Sequence, residues 1–144
     1  MSKKRSAANS GSKLPSVHTF FIDRSLGQKI VAQALRAAGA TVVVHDDRFP
    51  ADAPDEEWLR EVGRRGWVVL TRDKMIRYRD TERAAIIRAG VRAFVLRGKS
   101  LKGPEMGEAF VKALPAMVRL LAKRRPPFVA TITSSGTIST VFDL

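Results

Sequence analysis

Acidic residues recur at the ends of short apolar segments in this sequence. Asp23 directly follows the first apolar segment, and Asp73 comes three residues after the third. Asp46 and Asp47 follow the second segment, and Asp55 opens the helical stretch that leads into the third. If these segments are parallel strands, their carboxyl ends meet at one edge of a sheet, where ligands of such folds bind. Carboxylate oxygens are the ligands that Mg²⁺ and Mn²⁺ prefer, so the pattern predicts a site for a hard divalent cation.

The rest of the composition excludes several other kinds of catalytic or metal site. The chain has no cysteine and only two histidines, which excludes disulfides, thiolate nucleophiles and cysteine-based zinc sites. The stretch Gly98-Lys99-Ser100 imitates the end of a phosphate-binding loop, but Ala93 stands where that motif needs glycine. Simpler roles remain open for some acids, because first-turn acids complement helix dipoles and Asp46 and Asp47 suit turns.

A strong basic charge surrounds these acids. Lysine and arginine number 26 against 14 acidic residues, giving a net charge of +12. Ten basic residues lie between Arg72 and Lys102, where only three acids occur. Such a field attracts polyanions, and nucleic acid is the usual one, although a basic stretch can also be a solvated helix face. Acids that hold a metal inside a basic rim predict a phosphodiesterase that acts on nucleic acid.

The elements that must position the acids alternate along the chain. Short continuous apolar runs predict buried strands. Segments with helical periodicity alternate with these runs along the chain, which predicts that strands and helices alternate. Ser25 and Gln28 have the spacing of a capping box, which predicts a helix start at Ser25. The expected strands are 18–22, 41–45, 67–70 and 91–96, the expected helices are 25–38, 55–65, 81–89 and 104–123, and the segments 128–133 and 137–142 form a terminal hairpin. We therefore expect an α/β fold, a three-layer α/β/α sandwich around a mostly parallel sheet with a C-terminal β-hairpin.

The order of these segments along the chain predicts one domain with a tail. Residues 1–16 are polar and basic and are expected to form a flexible tail. Residues 17–103 would form the α/β core, and residues 104–144 would complete the same domain with a helix and the hairpin. The alternating serines and threonines of the hairpin are expected to share one exposed face, suited to a partner chain. Because no apolar run is long enough to span a bilayer and no secretory signal is present, we expect no membrane association and a cytoplasmic protein.

Three stretches resemble the PIN-like nuclease superfamily, in particular its branch related to VapC-type toxins of bacterial toxin–antitoxin pairs. They are Phe21-Ile22-Asp23-Arg24-Ser25-Leu26, Pro54-Asp55-Glu56-Glu57-Trp58-Leu59 and Val69-Leu70-Thr71-Arg72-Asp73-Lys74. Their order and spacing carry the resemblance, which spans about Thr19 to Leu96. It implies a PIN-like α/β/α fold and an Mg²⁺- or Mn²⁺-dependent endoribonuclease. It also implies an antitoxin partner and RNA as substrate, and it allows a homodimer.

The resemblance implies roles for particular residues. Asp23, Asp55 and Asp73 would be metal ligands and catalytic acids, and Thr71 would orient a carboxylate or a water. A fourth catalytic acid is expected, for which Glu82 is preferred over Asp80 and Glu57. The residues expected to hold RNA phosphates are Arg24, Arg72, Lys74, Arg77 and Arg79.

Two other classes of function remain open at this point. One is a non-catalytic nucleic-acid-binding PIN-like module in which the acids only cap helices. The other is an assembly component that binds an acidic protein partner through the terminal hairpin. Binding that needs no metal would distinguish the first, and the identity of copurifying proteins would distinguish the second.

Overall fold

A computed structural model describes residues 18–144, and the predicted tail, residues 1–16, lies outside the described residues. The strands of the described residues are β1 Thr19–Ile22, β2 Thr41–Val44, β3 Val68–Thr71, β4 Arg92–Leu96, β5 Phe128–Ile132 and β6 Ile138–Asp143; the helices are α1 Ile30–Ala37, α2 Asp55–Arg65, α3 Asp80–Ala89 and α4 Gly103–Lys123. These strands form one sheet in the order β2–β1–β3–β4–β5–β6. The first five strands are mutually parallel, and β6 runs antiparallel to β5.

Two hydrophobic cores lie on opposite faces of this sheet. Side chains alternate along β1, so that Phe20 and Ile22 face α1 and α4 while Phe21 faces α2 and α3. Trp58 of α2 is buried in the core between the sheet and α2 and α3, so its ring is not accessible for stacking against a base. The predicted three-layer α/β/α sandwich with a mostly parallel sheet and a terminal hairpin is therefore confirmed.

The segment after β1 differs from the predicted helix at Ser25. Residues Arg24–Leu26 form a single 3-10 turn, and α1 begins only at Ile30. Gly27 separates the two with a φ of +81° and a ψ of −173°, a conformation that glycine adopts readily and that a helix cannot contain. The predicted capping box is wrong, because the Ser25 hydroxyl bonds to Asp23 instead of a helical backbone group.

The terminal hairpin is more deeply embedded than its composition indicates. Strand β5 lies between β4 and β6, and all five of its residues are buried. Thr131 in β5 shares a hydrogen bond with Ser139 in β6, 2.6 Å between the two hydroxyl oxygens. The expectation of one exposed Ser/Thr face is wrong for Thr131, because β5 lies inside the sheet between β4 and β6 and the Thr131 side chain is buried there.

Candidate active site at the carboxyl edge of the sheet

Strands β1 and β3 deliver two polar side chains to the same edge of the sheet. The strands are parallel neighbours with Ile22 opposite Leu70, and the backbone N–H of Asp23 donates to the carbonyl of Leu70 at 3.1 Å. The residues that follow this pair along the two chain segments, Asp23 and Thr71, therefore lie side by side at the edge of the sheet. Both are buried, and Thr71 is fully so.

The Asp23 carboxylate is held by two hydroxyl groups. Thr71 Oγ1 donates to Asp23 Oδ2 at 2.6 Å, and Ser25 Oγ donates to the same oxygen at 2.9 Å. Each hydroxyl has one hydrogen, so each must accept its other bond. The backbone N–H of Arg72 donates to Ser25 Oγ and that of Asp73 to Thr71 Oγ1, both at 2.9 Å. The turn after β3 thus fixes the direction in which both hydroxyls point, and with them the carboxylate.

The electrostatic environment of Asp23 opposes its ionisation on balance. Burial raises the pKa of the Asp23 carboxyl above its usual value, and the nearby negative charge of Asp55 adds to the rise. Hydrogen bonds from Thr71, Ser25 and the Arg24 backbone act in the opposite direction on this pKa. A carboxylate kept in such a place at a cost is a common feature of functional sites.

Asp55 begins α2 and faces this same region. Its side chain is partly exposed, and its Oδ1 accepts a 3.0 Å hydrogen bond from the indole nitrogen of Trp58. Its charge acts on Asp23 and also on Arg79, so the start of α2 lies near the edge formed by β1 and β3.

Asp73 and Arg79 form an ion pair across the loop that follows β3. Arg79 Nη1 lies 2.5 Å from Asp73 Oδ2, while Asp73 Oδ1 accepts the backbone N–H of Met75 at 3.0 Å. The hydrogen bond to Asp73 raises the pKa of the Arg79 guanidinium, and the charges of Asp73, Glu82 and Asp55 also raise it. Arg79 is therefore a cation among three of the predicted acids, and its guanidinium is bound to Asp73 in this conformation.

Glu82 in the first turn of α3 supplies an unusual acceptor. Its side chain is buried at 9% exposure, and its Oε1 has no hydrogen-bond partner. Oε2 receives only a 3.3 Å bond from the hydroxyl of Thr81. The other two candidates for the fourth acid line separate cavities, Asp80 between α2 and α3 and Glu57 beside Arg48 and Arg65.

The donor set fits a hard cation in chemistry but does not form a closed shell of ligands here. Asp23, Asp55, Asp73 and Glu82 provide only carboxylate oxygens, and the unpartnered buried Oε1 of Glu82 is an acceptor without a donor. Within residues 18–144, no three acidic or histidine side chains lie close enough to hold one ion together. Asp73 is bound to Arg79 and Asp55 to Trp58, so sharing a cation requires these side chains to turn.

The predicted phosphate-binding residues separate into three groups. Arg24 forms an ion pair with Asp46, 3.0 Å from Nε to Oδ1, and Arg72 donates to the carbonyls of Gly98 and Leu101. Arg79 is bound to Asp73, as described above. Lys74 and Arg77 line a separate cavity, together with Tyr78 and side chains from β4, β5 and β6.

Residues 18–98 match the family model described as "PIN like domain". The match covers more than half of the chain, so this protein belongs to the PIN-like domain family, and the predicted resemblance is confirmed. A similar protein is "Putative ribonuclease VapC45" of Mycobacterium tuberculosis, which is 28% identical over 120 residues, 80% of this chain and 86% of the relative. No solved structure matches the chain significantly. In the described part of the chain, no helix has the length and apolar character that crossing a membrane requires.

Proposed function

We propose that this protein is a divalent-metal-dependent endoribonuclease and acts as the toxin of a toxin–antitoxin pair. The observation that carries the proposal is the buried Asp23 carboxylate, oriented by Thr71 and Ser25 with the charge of Asp55 close by. Membership of the PIN-like family and the ribonuclease name of the mycobacterial relative support the same activity. The toxin role rests on the VapC part of that name and on the sequence resemblance.

In this proposal Asp23, Asp55 and Asp73 hold Mg²⁺ or Mn²⁺, and Glu82 supports them. When bound, the cation would polarise the scissile phosphate and lower the pKa of a water molecule. Thr71 and Ser25 keep Asp23 Oδ2 in place, so that Oδ1 would be the oxygen that binds the cation. The free Oε1 of Glu82 can accept a hydrogen bond from a water or a proton released as the phosphodiester is hydrolysed.

The basic residues around the acids would bind the RNA backbone. The net charge of +12 favours association with any polyanion. Lys74 and Arg77 lie on the loop that begins at Asp73, so phosphates bound there lie next to the acids. Because the substrate is RNA, the proposed place of action is the cytoplasm.

A cleavage assay tests the proposal directly. Wild type, Asp23→Asn and Asp73→Asn are incubated with structured RNA in Mg²⁺, in Mn²⁺ and in EDTA. We expect cleavage only by wild type and only with metal, while the control variant Asp52→Asn, altered at an exposed loop residue, cleaves as wild type does. Equal cleavage by wild type and the two site variants would refute the assignment.

A growth assay addresses the toxin role. Expression of wild type in a bacterial host should arrest growth, and expression of Asp23→Asn should not. If both proteins are tolerated although wild type cleaves RNA in vitro, the toxin role is wrong and the nuclease activity stands.

One observation favours a second candidate, a PIN-like module that binds nucleic acid without cutting it. The acids of the described residues do not gather into a ligand set for one ion in this conformation. Salt-sensitive RNA binding that is the same in EDTA and in both site variants, without cleavage, would support this alternative.

A further inference from the structure

A cavity of about 280 Å³ lies beside the loop that follows β3. We call it the edge pocket and define it by Tyr78 on the loop, Val95 and Arg97 at the end of β4, Val129 and Thr131 on β5, and Phe142 on β6. Val129 and Phe142 are opposite one another in the β5–β6 pairing and share one face of the sheet. None of the described residues that line the pocket belongs to a helix, so strands form its floor and the loop its cover.

Aromatic rings and a guanidinium group stack on one another beside the pocket. The Tyr78 side chain is 55% exposed, and Met75, which also lines the pocket, is another exposed apolar side chain. The Arg77 guanidinium carbon lies 3.5 Å from the centre of the Phe142 ring and 4.1 Å from that of Tyr78. Aromatic rings and guanidinium planes stack on any planar ligand, and nucleobases bind to proteins in this manner.

The charge of the rim favours a ligand that carries phosphate. Lys74, Arg77 and Arg97 line the cavity, and none of its described lining residues is acidic. An apolar floor with aromatic walls and a cationic rim suits a base joined to a phosphate better than it suits an aliphatic ligand. Its volume is just below the range of about 300–1,000 Å³ typical of drug-sized ligands, so it suits one base.

The loop from Asp73 to Arg79 contributes residues both to this pocket and to the predicted catalytic acids. Asp73 and Arg79, at its two ends, pair with each other beside the predicted acids. Lys74, Arg77 and Tyr78, between them, line the edge pocket. One strand of RNA can therefore contact both sites around a single loop.

We propose that the edge pocket binds one unpaired nucleobase of the RNA close to the bond that is cut. The inference rests on the proposed function and goes beyond it by placing one base of the RNA, out of its stack, in this pocket. It assigns base recognition to Tyr78 and Phe142, with Arg97 at the rim. A base that stacks on the ring faces now covered by Arg77 takes the place of that guanidinium.

An abasic scan tests the proposal. A short single-stranded RNA is prepared as a series in which one abasic nucleotide moves along the strand, and binding is measured by fluorescence anisotropy in EDTA at low salt. With wild type, we expect one position at which the missing base weakens binding roughly fivefold to 100-fold, the range for loss of one stacked base. In Tyr78→Ala this sensitivity should disappear, while the intact RNA binds as weakly as the abasic one binds to wild type.

Two further variants show whether an effect of Tyr78→Ala arises in the edge pocket. Ile87→Ala removes another exposed apolar side chain, on α3 and outside the pocket, and should leave the abasic profile unchanged. Phe142→Ala should act as Tyr78→Ala does; thermal unfolding shows whether it is folded, and the exposed Tyr78 carries the test if it is not.

The outcomes for the pocket and for the nuclease are separate. A flat abasic profile in a protein that cleaves RNA with Mg²⁺ overturns the pocket alone. A position-dependent profile that Tyr78→Ala abolishes, in a protein that never cleaves, supports the pocket and overturns the nuclease. A profile that is the same in wild type and Tyr78→Ala also overturns the pocket. Absence of RNA binding in EDTA overturns the pocket as well, while cleavage with Mg²⁺ decides the nuclease.

Discussion

Replacing Asp23 by asparagine should make the metal-free protein more stable at neutral pH while removing its activity. The Asp23 carboxyl is 9% exposed, and burial raises its pKa. The ionised form is therefore less favourable in the folded protein than in the unfolded chain. Asparagine has nearly the same shape and carries no charge, and it can accept the same hydroxyl groups of Thr71 and Ser25.

The size of the effect follows from two opposed contributions. Removing a buried charge relieves a desolvation cost of several kcal/mol, reduced by partial solvation. Converting two charge-assisted hydrogen bonds into neutral ones loses about 1 kcal/mol each. The balance is a stabilisation of about 1 kcal/mol at pH 7, equivalent to roughly 3–5 °C in Tm for a chain of this size.

The pH dependence distinguishes this explanation from a packing effect. Because the pKa of Asp23 is raised in the folded state, ionisation destabilises the wild type as the pH rises through that value. Below the ordinary value of 3.8, Asp23 is protonated in both states and the advantage of asparagine disappears. The stability difference between variant and wild type should thus be present at pH 7 and vanish toward pH 4.

Urea unfolding of both proteins in EDTA, at several pH values, measures this difference. Asp52→Asn at an exposed loop position is the control and should not change stability at any pH. A variant that is less stable than wild type at pH 7, or a difference that does not depend on pH, would refute the reasoning.

Three further changes follow from contacts around the site. Thr71→Val removes a buried hydroxyl that donates to Asp23 and accepts the Asp73 N–H, so urea unfolding should show a loss of about 1.5–3 kcal/mol; a loss below about 0.5 kcal/mol would contradict this. Gly63→Ala places a methyl group 2.5 Å from the carbonyl oxygen of Ala89, where α2 and α3 approach closely. It should therefore destabilise the fold by about 1–3 kcal/mol in the same assay, and an unchanged free energy of unfolding would be evidence against that close packing. Arg79→Gln releases Asp73 from its ion pair, so calorimetric titration should show Mn²⁺ binding about fivefold tighter, the equivalent of ~1 kcal/mol for a partly exposed pair; unchanged affinity would contradict competition between the guanidinium and the ion.

Much of the fold and the position of Asp23 could be predicted from the sequence because they depend on local patterns. Short continuous apolar runs are typical of parallel strands buried on both faces, and the structure has such strands at β1, β3 and β4. A residue that directly follows such a strand must emerge at its carboxyl edge. That rule places Asp23 at the edge without any knowledge of its partners.

The role of Ser25 could not be found in this way. Its spacing to Gln28 is that of a capping box, yet its hydroxyl bonds to Asp23 and to the backbone of Arg72, 47 positions further along the chain. Gly27 is the one local signal against a helix there, and its positive φ becomes visible only in the structure.

The edge pocket and the ion pair of Asp73 with Arg79 also could not be predicted from local sequence patterns. Arg97 and Phe142 come from strand segments far apart in sequence, and only the sheet order brings them to one cavity with Tyr78. The loop from Asp73 to Arg79 has no periodicity that predicts which basic side chain turns back toward Asp73. Charge counts predicted a basic surface here but not the partner of each charge.

If the separated carboxylates come to share one divalent cation, a crystal soaked in Mn²⁺ will hold that ion at the carboxyl edge of the sheet. We expect an anomalous difference peak about 2.1 Å from a carboxylate oxygen of Asp23 and within the same distance of Asp55 or Asp73, with Arg79 turned away. The peak should be absent from crystals of Asp23→Asn. A soaked crystal with no peak at this edge, or a peak that persists without Asp23, would show that these carboxylates do not share an ion.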